Sequence, residues 1–200
     1  PVPPRITDYF TPSVIVLLLQ HLSLTFGALT IVRERFLGAT ELFRVAPLSA
    51  LETLLGKYIS YMLFGSVLAV ILTLLLIVIL GIPMLGSWLS YAGVLLALIF
   101  VSLGIGFLIS LISQTDSQAV QYAMIVLLTS VFFSGFFLSL DTLWAPIRIV
   151  SWTLPATYAI YLLQNIMLRG YLPSYFLLGA LVAWGVFFFS LALVLLRHAL

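Results

Sequence analysis

Five stretches without a single Asp, Glu, Lys or Arg, at 11–32, 58–80, 91–112, 119–140 and 175–196, decide what this chain can become. Each holds 22 or 23 residues, enough to cross a hydrocarbon core of about 30 Å as a helix rising about 1.5 Å per residue. Only helices and closed barrels satisfy every backbone N–H and C=O in lipid, and these runs lack the period-2 alternation of barrel strands. The expected fold is all-α: a polytopic helical membrane protein with five transmembrane helices in a single transmembrane domain over 1–200.

Composition narrows the function classes. With 64% hydrophobic and 7% charged residues a soluble domain is excluded, and no basic stripe is present to track phosphates, so no nucleic-acid partner is expected. Cysteine is absent, which removes disulfide frameworks, thiolate metal sites and thiol catalysis together. No metal motif of the H-E-x-x-H kind occurs, and Ser134 and Gly135 lack the upstream Gly of a membrane serine protease.

Half of the fourteen charged residues fall in one insert, 33–57, between the first two runs. Arg33 and Arg35 suit the dangling carbonyls at a helix C-terminus, and burying either at mid-membrane costs about 2.5 to 3.5 kcal/mol, so the first span stops here. Gly38 supplies a left-handed stop. TELFRVA then predicts a short helix with Glu41 and Arg44 three apart, ended by Pro47. Ser49 and Glu52 have the S-x-x-E spacing of a capping box, which starts a helix running through Gly56 and Lys57 into the second span. A short helix strapped between two spans is a lever: whatever pushes it moves both.

Lys and Arg set the expected orientation. With 33–57 cytoplasmic, the inside holds Arg33, Arg35, Arg44, Lys57 and Arg197 against Arg5, Arg148 and Arg169 outside, giving an outer N-terminus and an inner C-terminus. The turn at 113–118 is inner, with Thr115 capping the next helix and Gln118 reaching back. The 34 residues of 141–174 are long for a structureless connection. They contain LPATYAIYLLQNIML, too short for a span, expected as a re-entrant or interfacial outer helix, preceded by a short piece around Trp144 to Trp152. The chain opens PVPPRITDYFTP without Met, and five spans put its ends on opposite sides. A preceding segment is therefore expected.

Polar side chains inside spans are functional candidates by default, which points to Gln20 and His21 as substrate-path residues. Tyr158 and Tyr161 are candidates at an outer gate, with belt anchoring as their plainer role. Ser102, Gly106 and Ser110 form a small-residue stripe suited to helix packing, as do Gly179 and Ala183.

The order R-E-R, Gly, T-E, Pro-Leu-Ser, Glu, Gly-Lys resembles the cytoplasmic coupling loop of the permease subunits of type-2 ABC exporters, the multidrug and polysaccharide export class. It is carried by Arg33, Glu34, Arg35, Gly38, Thr40, Glu41, Pro47, Leu48, Ser49, Glu52, Gly56 and Lys57, with Phe36, Leu37 and Ala39 departing from the usual spacing. FTPSVIVLLLQ and LPATY followed by Arg169 and Gly170 extend the likeness across most of the chain. The resemblance implies a membrane permease subunit of an ATP-driven exporter, a multi-pass protein of a bacterial inner membrane embedded in lipid. Its partners would be an ABC ATP-binding subunit and a second permease copy or paralogue. It also implies a missing first span and extracytoplasmic domain. Arg33, Glu34, Arg35, Gly38, Thr40, Glu41, Arg44, Pro47, Glu52, Gly56 and Lys57 would form the ATPase-coupling site. No cofactor is expected on this chain, with ATP and Mg held by the partner. Its one Gly-Lys pair is followed by Tyr58, and Leu51 stands where a P-loop needs its first Gly. The competing readings are an ion-coupled secondary transporter or channel, for which no charged residue stands within a span, and an intramembrane enzyme.

Overall fold

The computed structural model describes residues 6–38, 49–137 and 144–199. Among these residues the chain forms seven α-helices and no strand: α1 Ile6–Phe36, α2 Ala50–Leu80, α3 Trp88–Ile112, α4 Asp116–Phe133, α5 Ala145–Ser151, α6 Pro155–Arg169 and α7 Tyr175–Ala199. Five of them, α1, α2, α3, α4 and α7, are long and apolar enough to cross a membrane. The short helix expected around Glu41 and Arg44 lies outside the described residues.

Capping decides where several helices begin and end. Ser49 and Glu52 close the capping box: Glu52 Oε2 accepts from the Ser49 N–H at 2.8 Å, and Ser49 Oγ accepts from the Glu52 N–H at 3.3 Å. α2 thus starts two turns before its apolar run, and its 31 residues extend about 46 Å, longer than the hydrocarbon core alone requires. Gly81 ends it at φ +63°. At α4, Thr115 Oγ1 accepts from the Gln118 N–H, while the Gln118 carboxamide accepts from the Gln114 N–H, one residue earlier than a full capping box requires. α4 stops at Phe133, although the apolar run continues to Leu140. Gly135 sits at φ +90°, a left-handed geometry that breaks the helix where hydropathy alone sees no boundary.

The direction of each helix follows from its contacts. Gly27 of α1 lies on Gly106 of α3, and the Ile31 and Val32 amides lie 2.9 and 3.0 Å from Ser110 Oγ, so the two helices run parallel. The same rising order, Phe100 beside Gly185 and Gly104 beside Phe188, makes α7 parallel to α3. Gln20 with Ser130 and Arg33 with Asp116 make α4 antiparallel to α1. Arg33, Lys57, Asp116 and Arg197 consequently gather at one end of the bundle, called here the charged end.

α4 finishes and α7 starts at the opposite end, so α5 and α6 bring the chain back to the side it left. They do not add a sixth crossing. α6 is no surface helix: Pro155, Ala156, Thr157, Ala159, Ile160, Leu162, Leu163, Ile166 and Met167 are buried among α1, α3 and α7. Its last turn is held by the 81–87 connection, where the Leu85 N–H donates to the Met167 carbonyl at 3.1 Å. Gln164 Nε2 donates to Ser13 Oγ at 3.2 Å, tying α6 to α1. LPATYAIYLLQNIML is thus packed inside the helix bundle.

α1, α3 and α6 form the buried centre, while α2, α4 and α7 turn long apolar rows outward, such as Leu63, Val67, Val70, Leu74 and Val78 of α2. Gly106 and Ser110 of the small-residue stripe lie against α1, a packing face within the chain, while Ser102 donates its hydroxyl to the Leu98 carbonyl of its own helix. Gly179 has open space around its Cα among the described residues.

Tyr58 joins α2 to the centre, its ring 5.2 Å from Phe100, 5.0 Å from Phe107 and 5.0 Å from Phe189. It is 3% exposed, and its hydroxyl has no hydrogen-bond partner among the described residues. A buried unpaired hydroxyl costs about 1 kcal/mol or more. Tyr58→Phe is therefore expected to raise the apparent melting temperature in detergent by roughly 2–4 °C, since it keeps the ring contacts and removes the orphan. A lowered melting temperature would show that the hydroxyl is engaged.

Candidate functional site

At the charged end three consecutive residues reach three different helices. The last turn of α1 exposes successive side chains about 100° apart, so Arg33, Glu34 and Arg35 fan outward from one helix end. Arg33 Nε donates to Asp116 Oδ2 at 3.0 Å, joining α1 to the first turn of α4. Glu34 pairs with Lys57, joining α1 to α2. Arg35 Nη2 donates to the Leu111 carbonyl at 3.1 Å and Nη1 reaches the Ser113 carbonyl at 3.5 Å, joining α1 to the end of α3.

The electrostatics agree with the helix ends involved. Arg35 meets dangling carbonyls at the negative end of the α3 dipole, and Asp116 sits at the positive end of α4. The Arg33–Asp116 pair is open to water, with side chains 61% and 43% exposed. The Glu34–Lys57 pair is more enclosed, Lys57 being 12% and Glu34 27% exposed. Beyond Arg35, the Gly38 N–H donates to the Arg35 carbonyl at 3.2 Å and Gly38 takes φ +70°, which terminates α1 as its glycine predicts.

Glu34, Glu52, Gly56 and Lys57, with Thr30 and Tyr61, line a recess of about 430 Å³ between α1 and α2. A side chain at Gly56 would meet no heavy atom within 4 Å among the described residues, so crowding within the bundle does not call for glycine there. Of the coupling residues expected from the sequence, Arg33, Glu34, Arg35, Gly38, Glu52, Gly56 and Lys57 are placed at this end. Thr40, Glu41, Arg44 and Pro47 lie outside the described residues.

Of the four substrate-path candidates, Gln20 and Tyr158 make hydrogen bonds to neighbouring elements. Gln20 is 1% exposed between α1 and α4, where its Nε2 donates to Ser130 Oγ at 3.2 Å. His21 is half-buried one position on, its Nδ1 without a partner among the described residues. Tyr158 donates its hydroxyl to the Trp152 carbonyl at 2.7 Å and packs edge-on to the Trp152 ring, fastening the α5–α6 corner. Tyr161 is 42% exposed with its ring 6.3 Å from that of Trp152.

Sequence reading missed Asp116 and Ser110. Asp116 had a signal, being the one charged residue between Lys57 and Asp141. Ser110 had none beyond its place in the small-residue stripe, because its value lies in the α1 amides it meets.

Comparison with known proteins identifies the family. Residues 4–168 match the pattern of the family described as ABC-2 type transporter. The chain is 30% identical over 200 residues to the probable multidrug ABC transporter permease YbhS of Escherichia coli, in strains K12 and O157:H7, covering 94% of this chain and 51% of that protein. It is 23% identical over 206 residues to ABC transporter G family member 20 of Dictyostelium discoideum, covering 97% of this chain and 27% of the relative. The chain thus spans about half the length, or less, of the curated relatives it matches. A family match over most of its length, together with five apolar helices of spanning length, makes this chain an integral membrane protein of the ABC-2 type transporter family.

Proposed function

We propose that this chain is the membrane-embedded part of a permease subunit in an ATP-driven exporter, with its charged end in the cytoplasm. Arg33, Arg35, Lys57 and Arg197 gather there, against Arg148 and Arg169 on the 134–174 side, which is the distribution the positive-inside rule favours. ATP and Mg belong on a separate ATP-binding subunit, and a second permease copy or paralogue completes the path. A bacterial inner membrane is the proposed location, in keeping with the bacterial source of the Escherichia coli permeases it resembles.

The observation that carries the reading is the attachment of the 33–57 segment. Its two ends are pinned to each other by Glu34 and Lys57, and the R-E-R fan ties the first end to α3 and α4. A loop so held transmits displacement to the helices instead of absorbing it. Thr40, Glu41, Arg44 and Pro47 are the residues proposed to meet the ATP-binding subunit.

The test is co-purification of the full-length permease with its ATP-binding subunit, comparing wild type with a Glu41→Lys, Arg44→Glu double variant. The complex is expected to be lost in the variant while the permease still elutes as a folded membrane protein. A variant that retains the subunit as well as wild type would remove the loop from the contact.

A further inference from the structure

The contact between α1 and α4 is built on small residues in the first turns of α4. Ala119 and Ala123 of α4 lie against Leu24, Ala28 and Val32 of α1, and these five form a small cluster with Ile109, separate from the main core. Alanines let the two helices approach closely, and Leu29, Tyr122 and Val126 border the cluster. Among the described residues two side-chain hydrogen bonds cross it, Gln20 with Ser130 in the last turn of α4 and Arg33 with Asp116 at the charged end. The second lies next to the loop proposed to receive the ATP-binding subunit.

From this geometry we infer that Asp116 is a positioning residue, which holds Arg33 and thereby makes α4 follow the end of α1 when the coupling loop moves. The inference rests on the coupling reading given above and extends it to a helix the loop does not touch in sequence. α2 is driven directly, because it continues from the loop and carries Lys57. α4 has no such continuity; its hydrogen bond nearest the loop is the one Asp116 makes with Arg33. Arg33 is also the one hydrogen-bond partner of the Asp116 carboxylate among the described residues: Oδ2 receives it, and the buried Oδ1 has none. The pair is well exposed and so adds little to stability, which leaves registration of α4 as its main effect. A simpler role for Asp116, favouring the positive end of α4, would not involve Arg33 at all.

The experiment follows distances within the assembled complex and needs no knowledge of the cargo. Residues 1–200 contain no cysteine, so spin labels at Leu89→Cys with Phe132→Cys report α4 against α3, and Leu89→Cys with Val78→Cys report α2 against α3. All these sites are exposed at the end opposite the charged one. The full-length permease with its ATP-binding subunit in nanodiscs is compared nucleotide-free and trapped with ATP and vanadate. Both pairs are expected to shift on trapping in wild type. Asp116→Asn reduces the α4 shift and spares the α2 shift; Arg33→Gln reduces the α4 shift equally, and the double variant lowers it no further.

An undiminished α4 shift in Asp116→Asn, or losses that add in the double variant, overturns the inference and leaves the coupling reading standing. Loss of both shifts in Asp116→Asn gives Asp116 to the subunit contact itself and also overturns the positioning role. A wild-type complex in which neither pair shifts sinks the lever reading and the inference with it.

Discussion

Gly106→Leu is expected to prevent assembly of the membrane domain, with little protein recovered as a single species after detergent extraction. A Cβ at Gly106 would stand 3.0 Å from Gly27 Cα and 3.1 Å from Ala28 N, and one at Gly27 would stand 3.2 Å from Gly106 Cα. These obstacles are backbone atoms, so no rotamer change relieves them, and the two helices must part. Overpacking alone costs about 1–3 kcal/mol, and parting also takes Ser110 Oγ away from the Ile31 and Val32 amides. Because α1 carries the R-E-R fan, the charged end is lost with the crossing. Gly106→Ala should fall between wild type and Gly106→Leu. Gly93→Ala, in the same helix but with nothing within 4 Å of a new Cβ among the described residues, should be tolerated or stabilised by up to about 1 kcal/mol. Size-exclusion profiles and melting temperatures of the three variants check this, and Gly106→Leu behaving like wild type would disprove the close crossing.

The contrast between Gly106 and Gly93 also marks how far the sequence can be read. Spans were legible because charge exclusion is a one-dimensional signal, and Ser49 with Glu52 was legible because a capping box is local. The stripe of Ser102, Gly106 and Ser110 announced a close approach without saying to what, since its partner Gly27 sits 79 positions earlier. α4 looked seven residues longer than it is, as apolar side chains continue past Ser134 and Gly135 while the backbone turns. Gln164 bonding Ser13 and Asp116 bonding Arg33 are three-dimensional facts that no spacing rule contains. At the charged end, local caps and the order of charges were readable, whereas the fan, with one residue for each neighbouring helix, required the fold.

That fan gives the Glu34–Lys57 pair a larger expected effect than its Arg33–Asp116 neighbour. Lys57 is 12% exposed and Glu34 27%, so each charge has given up much of its water and depends on the other. Lys57→Glu places two carboxylates together there, and Glu34→Lys two ammonium groups. Either single reversal is expected to cost about 2–3 kcal/mol, between the value of an exposed pair and that of a fully buried one. The apparent melting temperature should fall by roughly 4–12 °C, taking about 2–4 °C per kcal/mol for a chain of this size. The double reversal, Glu34→Lys with Lys57→Glu, should recover most of that loss, with a coupling energy of about 1–3 kcal/mol from the cycle. Reversal also opens the base of the 33–57 segment, so each single variant should retain the ATP-binding subunit less well, and the double variant better. Equal losses in the double and single variants would mean that the two side chains are held by other neighbours, and that the two ends of the loop are not fastened to one another.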